Sequence, residues 1–254
     1  MEFGMPTLLE FDSIVENASL CRELGLDFVE LNMNLPAYQI AQLKKLDLAR
    51  SDIYYTLHLD ENMNPFDFNP DVAAAYAKTA RDAVALAREN GMPLVNMHMP
   101  QGVYFALPHG KVYLWDSHWE HLRSSLCRFR DEMTREAGND VTICVENTVF
   151  GKFSHHEEAL DILLESPAFA LTYDCGHDRT DGMRAWDYYD RRRNRMRHMH
   201  LHDSTSGRCH LPMGEGDLDI AALCAIPEVR RRVIEVKDSR GLRASVEYIR
   251  KLIL

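Results

Sequence analysis

Eight short apolar segments alternate strictly with amphipathic segments along the 254-residue chain. The apolar segments have the length and composition of buried β-strands: MEFGMPTL, DFVELN, IYYTLHL, PLVNMH, VTICVEN, FALTYD, MRHMHLH and RVIEV. Eight strand–helix units close into a TIM barrel, whereas an open doubly wound sheet usually has fewer strands and a glycine-rich first turn. No GxGxxG motif follows the first strand. We therefore predict an α/β fold, a (β/α)8 TIM barrel, as a single domain over residues 1–254.

The segments between the strands predict helices. The clearest one runs from Asn69, with an Asn-Pro pair at its N-terminus, to Asn90, before Gly91. The others are predicted near residues 12–24, 37–50, 117–137, 155–165 and 183–193, from residue 217 onward, and over 242–254. Residues 101–115 are predicted to form a long aromatic loop, which could cover a substrate or contact another subunit of a homo-oligomer.

Composition limits the partners that we expect. The formal net charge is -10, which makes a nucleic-acid partner unlikely. The arginines of the RRRNRMRHMH segment are interpreted as a solvated helix end. No run of apolar residues is long enough for a membrane span or a signal peptide, and the six cysteines include no CxxC pair. The expectation is a cytoplasmic protein with reduced cysteines.

The last six predicted strands all end in residues that can hold a metal ion or move a proton. Parallel strands are buried on both faces, so ionisable groups at matching ends are not explained by packing. In a TIM barrel these carboxyl ends carry the active site. The residues at these ends are His58, His98, Glu146, Asp174, His177, His200, His202 and Glu235.

Side-chain alternation along the strands selects a smaller set of residues. At four strand ends the side chain is predicted to point into the barrel, like the residues that fill it. These residues are Glu146, Asp174, His200 and Glu235. Three carboxylates in a dry barrel mouth repel one another unless they take up protons or a cation. Three oxygen donors with one imidazole suit Mn²⁺, Mg²⁺, Co²⁺ or Zn²⁺. The pattern predicts one divalent metal ion bound by these four side chains.

Several motifs resemble the xylose-isomerase-like TIM-barrel superfamily, which includes sugar isomerases, sugar epimerases and endonuclease IV. The motifs are CVENT, YDCGH, HMHLHDS followed by HLPMGEGDLDI, and VIEVKD. The resemblance implies that Glu146, Asp174, His200 and Glu235 hold the metal. It also implies that Glu146 and Glu235 are the acid and base, and that His177 contacts the substrate. The implied reaction is isomerisation or epimerisation of a small sugar or sugar phosphate through an enediolate-type intermediate, a role in carbohydrate metabolism.

An alternative function remains open, that of an endonuclease IV-like zinc phosphodiesterase acting on abasic DNA. By motif, His58, His98, His177 and His210 match the histidines that hold additional zinc ions in endonuclease IV. Arg208 occupies the position of an aspartate ligand in that pattern, and an arginine cannot bind a metal. These four histidines are therefore also candidates for substrate binding, and Arg208 could bind a phosphate or carboxylate of a small substrate. A third possibility is a barrel that binds metal without turnover.

Four further residues are weighed individually. Glu30 and Asn32 end the second predicted strand and could hydrogen-bond sugar hydroxyls, or simply cap the barrel rim. His202 could orient a metal ligand, but a loop residue with local hydrogen bonds is the favoured interpretation. Lys237 could act as an electrophile or a Schiff-base lysine, although its charged KDSR surroundings favour a solvated side chain.

Overall fold

Eight parallel strands form a closed barrel in the computed structural model, which describes residues 1–48 and 52–253. The barrel strands are β1, β2, β3, β4, β7, β8, β9 and β12, and β12 pairs with β1 to close the barrel. This architecture confirms the predicted TIM barrel. The strands are β1 (Glu2–Pro6), β2 (Phe28–Asn32), β3 (Tyr54–His58), β4 (Leu94–His98), β5 (Tyr104–Leu107), β6 (Gly110–Tyr113), β7 (Thr142–Glu146), β8 (Phe169–Asp174), β9 (Met196–Leu201), β10 (Asp203–Thr205), β11 (Arg208–Leu211) and β12 (Arg231–Ile234).

Helices connect the barrel strands and cover the barrel from outside. Long amphipathic helices follow β3 and β4, where they pack against each other, and the last helix ends the chain. The helices are α1 (Ile14–Glu23), α2 (Ile40–Leu43), α3 (Pro70–Glu89), α4 (Leu114–Ser117), α5 (Trp119–Ala137), α6 (His156–Leu164), α7 (Cys175–Thr180), α8 (Trp186–Asp190), α9 (Ile220–Cys224) and α10 (Ser239–Ile253). Within the described residues, none is both long and apolar enough to cross a membrane.

Three predicted helices differ from the observed ones. The helix predicted over 37–50 is a 3-10 turn at Pro36–Tyr38 followed by the single turn of α2, and residues 49 and 50 lie outside the described part. The helix predicted from 183 to 193 shortens to α8, and the unpredicted α7 precedes it. The helix predicted from residue 217 begins only at Ile220, where the Asp219 side chain accepts a hydrogen bond from the Ala222 N–H.

Two antiparallel hairpins, which the sequence did not predict, lie above the carboxyl ends of the strands. The first, β5–β6, occupies the predicted aromatic loop and exposes Phe105, Leu107 and Val112. The second, β10–β11, follows β9 directly. Their strands are three or four residues long and each pairs only with its partner in the described part of the chain, so neither produces a pattern as clear as that of a barrel strand.

The lower part of the barrel is filled by aromatic and small apolar side chains. The Phe28 and Tyr54 rings stack with centroids 5.0 Å apart. A Cβ at Gly4 would lie 2.5 Å from the Phe28 ring, so glycine is needed at this position. Leu94, Cys144 and Ala170 form a small buried cluster. Side chains therefore close the barrel below, and the site can open only at the strands' carboxyl ends.

Arginine side chains join the ends of helices to the barrel. The fully buried Arg232 donates hydrogen bonds to the carbonyls of Val229, Leu223, Cys224 and Ile226 around the end of α9. Arg195 does the same at the end of α6, donating to the carbonyls of residues 164, 166 and 169. Carbonyls at helix ends need such donors from outside the helix.

The solvated interpretation of the arginine run needs correction at Arg195. This side chain is half-buried and binds backbone carbonyls. Arg191 and Arg197 are exposed, as predicted, although Arg191 lies 3.5 Å from Glu157. Arg192 pairs with Asp161 at 2.8 Å.

Candidate active site

The four predicted metal-binding side chains meet at the carboxyl end of the barrel. Nδ1 of His200 lies 3.3 Å from Glu146 Oε2, 3.7 Å from Asp174 Oδ2 and 3.2 Å from Glu235 Oε2. Glu146 and Asp174 are the last residues of β7 and β8, His200 lies near the end of β9, and Glu235 follows β12. All four side chains are at most 13% exposed. The four residues that were selected by side-chain alternation along the strands thus form one buried cluster.

Two atoms at the centre of this cluster are buried without a hydrogen-bond partner among the described residues. They are Nδ1 of His200 and Oε2 of Glu235. Buried polar atoms normally find partners, so an unpaired imidazole nitrogen 3.2 Å from an unpaired carboxylate oxygen needs an explanation. A divalent cation bound by both atoms would satisfy them, and three carboxylates with one imidazole suit such an ion. The donor set therefore fits a metal.

The electrostatics of the cluster also require a positive centre. Burial raises the pKa of Glu146, but its contacts with His200 and His98 outweigh burial and keep that pKa well below the usual value. Burial likewise opposes ionisation of Glu235, and the charge of His200 again lowers the carboxyl pKa. The pKa of His200, which burial alone would lower, is raised well above its ordinary value by Glu146 and Glu235. A proton or a metal ion on Nδ1 of His200 would offset the negative charge of these acids.

Glu30 is almost fully buried beside His200. Its Oε1 is 2.9 Å from His200 Nε2, its Oε2 is 2.9 Å from His198 Nε2, and the side chain is 3% exposed. Histidines contact both carboxylate oxygens, and a contact between Glu30 and a sugar stays a prediction. A carboxylate that accepts the Nε2 proton leaves the other ring nitrogen free for a metal. Glu30 orients His200 toward the three acids.

Glu146 is held by an amide that the sequence analysis did not single out. Asn96 Nδ2 donates to Glu146 Oε2 at 2.7 Å, and Asn96 Oδ1 accepts a hydrogen bond from the Thr172 hydroxyl at 2.6 Å. Asn96 is two residues before His98 on β4, so the same alternation that selected the strand tips could have found it. Asn96 and Thr172 together fix the position of Glu146 Oε2.

His58 and His98 approach the same Glu146 oxygen as His200 does. Their Nε2 atoms are 3.5 and 3.4 Å from Glu146 Oε2, and their rings meet edge to face at 4.9 Å. His58 Nδ1 is 2.7 Å from the Leu59 carbonyl, which favours the tautomer with the proton on Nδ1. The Nε2 lone pair then faces a carboxylate oxygen, an arrangement that binds either a proton or a cation.

A second group of side chains lies beside Asp174. His202 Nε2 is 3.1 Å from Asp174 Oδ1, and His177 Nε2 is 3.7 Å from Asp174 Oδ2. Cys209 Sγ lies 4.0 Å from both His177 Nδ1 and His202 Nε2, and the His202 and His210 rings are 4.4 Å apart. We call these four residues, His177, His202, Cys209 and His210, the Cys–His cluster.

The pKa values in the Cys–His cluster reflect its neighbours. Burial raises the pKa of the Cys209 thiol, but the hydrogen bonds from His177 and His202 outweigh burial and lower it to about 7. Burial would lower the pKa of His177, yet the Asp174 carboxylate raises it to about 10. Burial dominates at His210 and lowers its pKa to about 4.

His202 lies between β9 and β10 and has local contacts, as the favoured interpretation expected, but that interpretation missed its contact with Asp174. The ring is fully buried and contacts Asp174, and a Cβ on Gly176 would lie 1.9 Å from its Cε1 atom. The glycine of the YDCGH motif therefore makes room for this ring. His202 also has a local contact, at 3.2 Å from the Asp203 carbonyl, but its position depends on a segment 26 residues earlier.

The GEGDL segment folds around the carboxylate of Asp203. This side chain accepts hydrogen bonds from the backbone N–H groups of Ser204, Gly214 and Leu218. A Cβ on Gly216 would lie 2.2 Å from Asp203 Oδ1, so glycine allows this close approach. The HDS and GEG motifs thus form one structural unit that carries the second hairpin.

The open side of the site is lined by polar residues from several loops. Lys237 Nζ lies 2.7 Å from Glu235 Oε1. Both line a cavity of about 260 Å³ with Glu30, Asn32, His58 and Glu61. Lys237 is thus exposed, as predicted, and also pairs with a site carboxylate. Arg208 is exposed at the start of β11, and its contact with a substrate phosphate or carboxylate stays a prediction.

Comparison with known proteins places the chain among TIM barrels of several activities. Residues 18–251 match the family model described as xylose isomerase-like TIM barrel. No curated protein sequence matches the chain significantly.

Three solved structures illustrate the likeness. A D-tagatose 3-epimerase-like protein is 20% identical, with a TM-score of 0.80 over 100% of this chain and 97% of that chain. The 3-keto-D-glucoside 4-epimerase from E. coli is 15% identical, with a TM-score of 0.76 over 100% and 99%. Endonuclease IV from Thermus thermophilus is 17% identical, with a TM-score of 0.66 over 99% and 100%. These likenesses concern the fold, and the family match covers most of the sequence: the chain belongs to the xylose isomerase-like TIM barrel family.

Proposed function

We propose that the protein is a divalent-metal-dependent epimerase or isomerase of a small sugar or sugar phosphate. The observation that carries the proposal is the convergence of Glu146, Asp174 and Glu235 on the unpaired Nδ1 of His200. A metal held by these four residues would polarise a sugar carbonyl and its neighbouring hydroxyl and stabilise the enediolate that forms on proton loss. Epimerases among the structural neighbours support this choice.

Glu146 and Glu235 are the proposed proton-transfer pair. They enter the site from different strands, and each is fixed through an oxygen that is already hydrogen-bonded: Asn96 binds Glu146, and Lys237 binds Glu235. In the proposed reaction one carboxylate removes the proton from the substrate carbon and the other returns a proton. The ammonium of Lys237 would keep Glu235 ionised before it accepts a proton.

His177 is the proposed substrate contact. It lies in the first turn of α7, where its backbone N–H donates to Asp174 at 2.6 Å, and its ring is partly exposed. A ring that faces both Asp174 and the open mouth can donate a hydrogen bond to a sugar hydroxyl. His58, on the opposite wall, lines the cavity that also contains Asn32 and Lys237. The substrate would lie between them.

The test is exchange of the substrate C–H proton with deuterated solvent. D-Tagatose, D-allulose and L-ribulose would be incubated with Mn²⁺-loaded protein and followed by proton NMR. We expect exchange with the wild type and loss of exchange by at least about 100-fold in Glu146→Gln and Glu235→Gln. The matched control is Glu89→Gln, exposed at the far end of α3. Undiminished exchange in both site variants would contradict the assignment.

A second candidate function rests on His58 and His98. Both Nε2 atoms lie within 3.5 Å of Glu146 Oε2, so these side chains could bind another ion beside the first. Such a centre would favour a zinc phosphodiesterase acting on abasic DNA, the activity considered by resemblance to endonuclease IV. Incubation of the Zn²⁺-loaded protein with duplex DNA containing one abasic site distinguishes the two. Incision that is lost in His98→Gln would favour the nuclease.

A further inference from the structure

We propose that the substrate of the candidate active site is an unphosphorylated, uncharged sugar. This inference rests on the proposed function and narrows it, because that function includes both sugars and sugar phosphates. Three features of the barrel mouth support the inference. Backbone N–H groups around the mouth already bind internal acids, the lysine of the mouth is paired with an acid, and uncharged polar side chains line a cavity beside the site.

The first feature concerns the places where TIM barrels frequently bind phosphate. These places are the loops after the seventh and eighth strands, where backbone N–H groups at a helix N-terminus can face the anion. Counted along the chain, the seventh and eighth barrel strands are β9 and β12. After both strands, N–H groups donate hydrogen bonds to carboxylates of the chain itself. A substrate phosphate would therefore compete with internal acids for these donors.

After β9, the glycine-rich GEGDL segment surrounds a buried carboxylate. Asp203, which is 1% exposed, accepts hydrogen bonds from the N–H groups of Ser204, Gly214 and Leu218 at 2.9, 2.9 and 3.1 Å. Successive N–H groups in loops of this kind often form a concave binding site for an external phosphate. Here an internal anion takes that place, and a phosphate would have to displace it.

After β12, two acids bind the N-terminus of α10. Glu10 Oε2 accepts a hydrogen bond from the Ser239 N–H at 3.0 Å, and Asp238 Oδ1 accepts one from the Gly241 N–H at 2.7 Å. The helix begins two residues after Lys237, which lines the mouth. Negative side chains are favourable at this end of a helix, where a phosphate could also bind. A phosphate at this position would lose two donors and meet two negative charges.

The second feature is the pairing of the lysine at the mouth. The cavity of about 260 Å³ that contains Lys237, the first mouth cavity, shares Glu61 with a second mouth cavity of about 280 Å³. Among the described residues that line either cavity, Lys237 is the sole lysine or arginine. Its Nζ is 2.7 Å from Glu235 Oε1. Arginine is the side chain that proteins favour for binding phosphate, and Arg208 lines neither cavity.

The third feature is the lining of the second mouth cavity. His98 connects this cavity to the site, because its Nε2 lies 3.4 Å from Glu146 Oε2. Oγ1 of Thr148 is buried without a hydrogen-bond partner among the described residues, and Val149 has a φ of 51°, which is rare for a β-branched residue. Amides and hydroxyls donate and accept hydrogen bonds without charge, so they match sugar hydroxyls. The uncharged polar residues of the lining are Asn62, Asn64, Gln101 and Thr148.

The test compares each sugar with its own phosphate ester by exchange of the substrate C–H proton with deuterated solvent. The pairs are D-tagatose, D-allulose and L-ribulose with D-tagatose 6-phosphate, D-allulose 6-phosphate and L-ribulose 5-phosphate, incubated with the Mn²⁺-loaded full-length protein. We expect kcat/KM for exchange to be at least about 10-fold higher for the free sugar of each pair that reacts. Equal or faster exchange of the phosphate esters would overturn the inference and leave the proposed reaction intact.

A titration without turnover separates this inference from the proposed reaction. Ligand-observed NMR with the Mg²⁺-loaded protein gives dissociation constants, and Kd should be at least about 10-fold higher for D-allulose 6-phosphate than for D-allulose. A Kd for the ester equal to or below that of the free sugar would overturn the inference even if no exchange occurs. Lys237→Met and Arg208→Met would then identify the cation that binds the phosphate. Absence of binding by both compounds would contradict the inference together with the proposed function.

Glu10→Ala tests the role of the occupied N–H groups. Removal of this exposed carboxylate frees the Ser239 N–H and takes away a negative charge, so Kd for D-allulose 6-phosphate should fall by at least about 3-fold. Glu89→Ala, exposed at the far end of α3, is the matched control and should bind the ester as the wild type does. An unchanged Kd in Glu10→Ala would contradict the part of the inference that rests on the N-terminus of α10.

Discussion

Nε2 of His200 lies 2.9 Å from Oε1 of Glu30, and this contact determines that Nδ1 faces the three acids of the site. Glu30 belongs to β2 and His200 to β9, so the contact crosses the barrel interior. Because the other Glu30 oxygen contacts His198, the carboxylate holds two histidine rings at once.

Replacing Glu30 with Gln should weaken metal binding without unfolding the barrel. A glutamine fills the same space but carries no charge to fix the Nε2 proton of His200, and loss of such a contact typically costs about 10–100-fold in metal affinity. Calorimetric titration with Mn²⁺ measures the change. Glu89→Gln serves as the control and should bind as the wild type does. Equal affinity in Glu30→Gln would show that Glu30 does not orient His200.

Alanine at position 176 should displace His202. The new Cβ would lie 1.9 Å from His202 Cε1, so either the ring or the backbone of α7 must move. Overpacking of this kind costs about 1–3 kcal/mol of unfolding free energy. Urea denaturation measures the loss. Gly207→Ala is the matched control, because no atom of the described residues lies within 4 Å of a Cβ there. Similar stability of both variants would contradict the packing argument.

Substitution of Arg232 with Met should destabilise the fold. The change leaves the carbonyls of Val229, Leu223, Cys224 and Ile226 without this donor in a buried place. Each unsatisfied buried group costs about 1–3 kcal/mol, so a loss of at least about 2 kcal/mol in unfolding free energy is expected. The exposed neighbour Arg230, paired with Glu2, is the control. Arg230→Met should cost under about 1 kcal/mol. Equal losses would argue against the carbonyl contacts.

The buried His156 should make the protein sensitive to acid. Both ring nitrogens lack hydrogen-bond partners among the described residues, the ring packs against Phe150 and Phe153, and burial lowers the pKa of His156 from 6.5 to about 3. Below pH 6.5 the unfolded chain binds a proton that the folded chain refuses. Stability is therefore full above that pH and declines by up to about 1.4 kcal/mol per pH unit until pH approaches about 3.

Replacing His156 with Phe should remove this part of the pH dependence. The measurement is the unfolding free energy of the variant and of the wild type as a function of pH. The difference between these two free energies should change between pH 6.5 and 3. His109→Phe, on the exposed turn of the first hairpin, is the control and should keep the wild-type profile. A constant difference between His156→Phe and wild type would rule out the buried neutral histidine.

The barrel and the acids of the site could be predicted because both depend on local periodicity. Strand–helix alternation set the fold, and parity at the strand tips selected Glu146, Asp174, His200 and Glu235, which the structure brings together. These patterns can be recognised in a single sequence because successive side chains of a strand point to opposite faces of the sheet.

Contacts between distant segments could not be predicted. The sequence analysis did not find the partners of Glu30, His198 and His200, which follow 168 and 170 residues later. It expected only local contacts for His202, because the burial of this ring against Asp174 depends on a missing Cβ at Gly176. The hairpins were missed because, in the described part of the chain, their short strands pair only with each other. In each case the decisive contact is tertiary, and no local pattern encodes it.

The Glu30–His200 contact joins β2 to β9 and therefore links assembly of the site to closure of the barrel. The barrel closes only when β12 pairs with β1. Metal binding by the three acids should accordingly follow barrel closure, since Glu235 directly follows β12. The ion would then bind to a barrel that has already folded, in contrast to small zinc domains, which fold around their metal.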